Sequence, residues 1–88
     1  MAGAITGVVG QIKWHYYVAA AINGYHVTRS DDGHWGLTAT VVLADAFKMA
    51  QRPLTFVAPT DKGEWRWPIE SHELADGALR ARLGPPAP

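Results

Sequence analysis

The sequence predicts a mainly β, α+β chain: a small antiparallel β-barrel, or a curled sheet packed on a helix, with six or seven short strands. Three observations predict it. Stretches of apolar and polar residues alternate with period two, as half-buried strands do. Turn dipeptides punctuate these stretches at short intervals. Only one segment shows a helical period. The strands follow each other too closely for βαβ crossovers, so a parallel doubly wound sheet is disfavoured.

The elements follow in order. Residues 1–10 hold three glycines and no charge, which reads as a loose, flexible N-terminus. The single domain is expected over 11–84. Trp14 to Val18 is aromatic and β-branched, as strands prefer. Asn23-Gly24 between Ala-Ala-Ala-Ile and Tyr-His-Val-Thr is a hairpin signal, with a bulge inside one longer strand as the alternative. Ser30-Asp31-Asp32-Gly33 predicts the next turn. Trp35, Leu37, Ala39 and Val41 then alternate with Thr38 and Thr40.

Over Leu43 to Arg52 the period changes. Leu43, Ala46, Phe47 and Ala50 stand at helical spacing, Asp45 lies near the start, and Lys48 and Arg52 lie near the end. That charge order suits a helix dipole, and Pro53 stops the helix. A short helix around 43–52 is predicted. Leu54 to Ala58 reads as a strand, and Pro59-Thr60-Asp61-Lys62-Gly63 as a turn. Trp65, Trp67 and Ile69 then share one strand face, and Pro68 ends that strand or marks an edge. Asp76-Gly77 predicts a last hairpin, after which Leu79, Ala81 and Leu83 oppose Arg80 and Arg82. The prolines of 85–88 make a tail that continues neither helix nor ladder.

Composition bounds the function. The chain has 88 residues, and eight Lys/Arg balance eight Asp/Glu. This disfavours a globally basic nucleic-acid binder and a polybasic membrane module. With 48% hydrophobic and 18% charged residues it is too apolar for a disordered chain. A domain this small buries only roughly 60% of its unfolded surface. Self-association would add burial, and a zero net charge does not oppose it. Cysteine is absent, which removes disulfides, thiolate metal sites and thiol nucleophiles. No apolar run is long enough to span a membrane, the first residues make a poor secretory signal, and a cytoplasmic location is expected.

Chemistry-bearing residues are sparse. His15, His26, His34 and His72 show no metal-ligand spacing, and His26 and His34 merely flank the Asp31-Asp32 turn. Neither Ser30 nor Ser71 sits in a nucleophile turn. No phosphate loop is present. The expectation is no enzyme, no metal and no cofactor. Aromatic residues carry more information. Trp65-Arg66-Trp67 places two indoles on one strand face with a guanidinium between them, and Trp, Tyr and Arg are the residues of binding hot spots. Core filling by Trp65 and Trp67 is the competing reading. Lys48 and Arg52 lie one turn apart on the predicted helix, and Arg66, Arg80 and Arg82 fall on outward strand faces. These seven residues are the candidate partner contacts. With Tyr16, Tyr17 and Tyr25 nearby, the arginines would form a platform for single-stranded nucleic acid, unless Glu64, Glu70 and Glu73 neutralise them.

Gln51-Arg52-Pro53-Leu54-Thr55-Phe56-Val57-Ala58-Pro59, then Gly63-Glu64-Trp65-Arg66-Trp67-Pro68-Ile69 and the ending Leu83-Gly84-Pro85-Pro86, resemble short uncharacterised proteins of phages and prophages from GC-rich bacteria. The resemblance covers about half the chain and carries no functional residue. It implies an accessory role: binding and blocking a host or phage macromolecule, or decorating a virion. The expectation is therefore a non-enzymatic, phage-derived protein-interaction module that inhibits a host macromolecule such as a defence component. A nucleic-acid-binding small barrel and a self-assembling virion protein are the alternatives.

Overall fold

The computed structural model describes residues 4–61 and 63–87. Residues 1–3 of the expected loose N-terminus, Lys62 of the expected turn and Pro88 lie outside them. The elements are β1 (Ala4–Trp14), β2 (Tyr17–Arg29), β3 (Trp35–Ala44), α1 (Ala46–Met49), β4 (Leu54–Thr60), β5 (Gly63–Ala75) and β6 (Ala78–Leu83). The strands form a closed antiparallel barrel in the order β1-β2-β3-β6-β5-β4. It consists of two three-strand meanders, β1-β2-β3 and β4-β5-β6. Two seams join them: β3 with β6 from Trp35↔Leu83 to Thr40↔Ala78, and β1 with β4 from Gln11↔Val57 to Trp14↔Leu54.

The first turn was not signalled by glycine or proline. It falls at His15-Tyr16, with His15 in the left-handed region (φ 55°), a conformation His enters more readily than most residues. Residues 4–10, expected to be loose, form the first part of β1. Their glycines serve packing. A Cβ on Gly7 would overlap the ring of Tyr25, and one on Gly10 would lie 2.8 Å from Phe56 and 3.3 Å from Tyr25. The two rings occupy the space those side chains would fill. Asn23-Gly24 makes no hairpin. β2 runs through it with a register shift between Asn23 and His26 against β3, and Gly24 at φ 60°. The bulge reading holds, because β2 has a partner on each side at this point.

The Ser30 turn closes as predicted, with Gly33 N donating to Ser30 O (2.9 Å) and Ser30 N to His34 O (2.8 Å). The helix is shorter than predicted. Leu43 and Ala44 remain in β3, paired with Ala21 and Ala20. Asp45 caps α1 by accepting from Lys48 N at 3.0 Å. One helical turn follows, and Met49 is its buried residue. The C-terminal tail stays beside β5. Gly84 N donates to Pro68 O, and Ala87 exchanges two backbone hydrogen bonds with Arg66 (2.8 and 2.7 Å). It thus follows β5 beyond the end of β6 through one isolated bridge, with Pro85 and Pro86 outside any strand.

Inward residues from all six strands fill the barrel: Ile12, Ile22, Val27, Leu37, Leu54, Phe56, Trp67 and Leu79 are among the most buried. The middle is aromatic. Phe56 stacks on Trp67 (5.4 Å, 27°), Tyr25 meets Phe56 edge-on (5.1 Å), and Trp35 lies 6.3 Å from Trp67. Burying a ring such as Phe56 contributes about 1.5–3 kcal/mol. Among the described residues the Trp67 indole N–H has no acceptor, and a buried donor left so costs about 1–3 kcal/mol.

Candidate functional site

The seven residues singled out by sequence fall in separate places. Trp67 is 0% exposed and belongs to the core, which corrects its place among the expected contacts. Its strand has a neighbour on each side, Phe56 of β4 opposite and β6 beyond, so barrel closure turns its face inward. Trp65, two residues earlier, reaches the barrel rim. It is 38% exposed and stacks 6.1 Å from Trp67.

The arginines lie outward but have partners. Arg66 donates to Glu64 (3.2 Å). Arg82 Nε lies 3.4 Å from Glu70, and its Nη2 donates to Nδ1 of His34 at 2.7 Å. Arg80 stands directly opposite Glu73 on β5. This face is a charge-compensated wall, and Tyr25, expected beside it, is buried over Gly7. His72, on the same strand as Glu70 and Glu73, is half-buried. Burial, and then the charge of Arg52, hold its pKa below the ordinary histidine value.

The exposed aromatic residues gather elsewhere, at the end of the barrel where β1 turns into β2, β3 ends and α1 lies. Tyr16 is 94% exposed, Leu43 72% and Phe47 67%, with Tyr17 and Val42 also more than half exposed. Trp14 organises the cluster. Its ring lies 5.8 Å from Tyr17 and meets Phe47 edge-on at 6.2 Å. Lys48 sits over the Tyr17 ring (5.5 Å) and 3.7 Å from Asp45. The Lys48 N–H keeps the Asp45 carboxyl below the usual carboxylate range, with the Lys48 charge adding to it. Of the seven sequence candidates, Lys48 and Arg52 flank this end, on α1 and just after it.

Two grooves open here. One, of about 260 Å³, has Ala19, Ala20 and Ala21 along one side and Leu43, Ala44 and Lys48 along the other. Its lining is mostly apolar. Beside it, β3 runs past its last pairing with β6, so Val42–Ala44 have no ladder on that side among the described residues. The second, of about 310 Å³, runs along the outside of β4 between Lys13 and Arg66. Among the described residues no three His, Asp or Glu side chains group as metal ligands, and no helix is long and apolar enough to cross a membrane.

Sequence reasoning missed this end because its residues lie at a turn, a strand end and a single helical turn. Tyr16-Tyr17 and Phe47 were visible, but their adjacency depends on β2 pairing with β3. Comparison with protein-family models, with curated proteins and with solved structures finds no match.

Proposed function

We propose that the chain is a non-enzymatic interaction module that docks a partner protein on the α1 end of its barrel. The carrying observation is that Tyr17 and Phe47, both packed on Trp14, and Leu43, which lines a groove floored by alanines, are all more than half exposed. Large exposed apolar side chains at one place mark interaction surfaces on small soluble domains. Tyrosine and phenylalanine supply contact area with few rotors to immobilise. The unladdered edge at Val42–Ala44 favours an extended, apolar partner segment, which gains backbone hydrogen bonds there. On the resemblance to phage accessory proteins, we take that partner to be a host macromolecule, held and thereby inhibited.

Affinity capture from a candidate host tests this with matched variants. Phe47→Ala combined with Leu43→Ser should weaken a stoichiometric protein partner by about 30-fold or more, as loss of a hot spot does. Trp65→Ala should leave it bound. The reverse pattern, with loss on Trp65→Ala and retention on the pair, overturns the reading.

A further inference from the structure

The second groove goes beyond protein docking. Its floor is the outer face of β4, Thr55 and Val57. Its walls are Lys13 on β1 and Arg66 on β5, and Tyr16 and His15 close its upper end beside Pro53. None of the residues lining it is acidic. Glu64, which pairs with Arg66, borders a neighbouring depression with Val9 and Pro59 instead. The groove therefore sets Lys13 and the Glu64-paired Arg66 on either side of a strand, with an aromatic ring at one end, in a chain whose total charge is zero.

We propose that this groove binds single-stranded nucleic acid, with a base stacked on Tyr16 and the sugar–phosphate chain lying between Lys13 and Arg66. Three features favour it over an acidic peptide. First, the two cations rise from different strands. They stand on either side of β4, opposite Thr55 and Val57, so two strand spacings of about 4.8 Å each and a two-residue offset along β4 separate their backbones. Two phosphates of one chain suit such a pair better than one carboxylate does. Second, Tyr16 offers a nearly free ring face, which any base can stack on. Third, Leu54–Val57 is laddered on both sides, to β1 and to β5. A peptide strand finds no backbone to pair with, and a nucleic acid needs none.

Fluorescence anisotropy of a labelled 15-mer of deoxythymidine tests it on the full chain, with salt varied from 20 to 200 mM. Saturable binding is expected, with log affinity falling against log salt by about 0.7 per phosphate contacted. Lys13→Ala with Arg66→Ala should reduce that slope by about 1.4. Tyr16→Ala should weaken binding about 10-fold, since base–aromatic stacking is worth about 1–3 kcal/mol. Phe47→Ala with Leu43→Ser should leave it unchanged. Amide shifts of the wild-type protein on titration supply a readout independent of any variant, and should map to Lys13, Tyr16 and Thr55. The proposal is overturned by absence of binding at 20 mM salt, by an undiminished slope in the folded double variant, or by shifts elsewhere. Equal affinity for a 15-residue polyglutamate also overturns it, because the groove would then select charge and not nucleic acid.

Discussion

Two aromatic regions of this chain look alike in sequence and behave in opposite ways. Trp65-Arg66-Trp67 lies within a strand paired on both sides; Tyr16, Tyr17 and Phe47 lie at a turn, a strand start and a one-turn helix. The first buries Trp67 completely and pairs Arg66 with an acid two residues away. In the second, Tyr17 leans on Trp14 and Lys48 and Phe47 on Trp14, yet all three rings stay more than half exposed. Aromatic content therefore does not locate a surface. The number of strand neighbours does, because a ring on the inner face of a closed barrel has nowhere else to go.

The sharpest way to break this contrast is Trp67→Ala. It should cost about 3–5 kcal/mol, read as a lower denaturant midpoint at constant slope. Trp65→Ala should cost measurably less, and equal costs would mean that the rim is as packed as the centre. Next comes Gly10→Ala. A methyl 2.8 Å from the Phe56 ring forces the aromatic core to shift, and overpacking of this kind costs about 1–3 kcal/mol. A neutral result would show that Phe56 and Tyr25 have room to move. The smallest effect belongs to Tyr16→Ala, which should leave thermal stability within about 0.5 kcal/mol. A larger loss would show that Tyr16 holds the barrel together and is not free to bind.

Much of the fold was legible because its signals are local. Alternation from Trp35 to Val41, the Trp65-Trp67-Ile69 face and the Asp76-Gly77 turn all rest on neighbours in the chain, and each appears in β3, β5 or the β5–β6 turn. What was not legible depends on closure. Gly7 and Gly10 read as looseness because the rings that cover them, Tyr25 and Phe56, come from β2 and β4. Asn23-Gly24 read as a hairpin, with a bulge only as the alternative, because nothing nearby announces that β2 is flanked on both sides. Leu43 satisfied a helical period equally well, and only its ladder to Ala21 keeps it in β3. The candidate site suffered most. Whether Arg82 is free depends on Glu70 and His34 across two strands, and the groove between Lys13 and Arg66 exists only once β1 meets β4.

The two seams carry a consequence in time. Each meander is built from contacts between near neighbours in the chain, but β3–β6 and β1–β4 join residues on opposite sides of the α1 segment. Closing such long loops costs chain entropy before the ladders return any of it. A topology dominated by distant pairings belongs with domains that fold in about milliseconds to seconds, not microseconds. During that interval the edges of β3 and β4 stand open, so the seams that complete the barrel are also where two chains folding side by side can mistake each other for themselves.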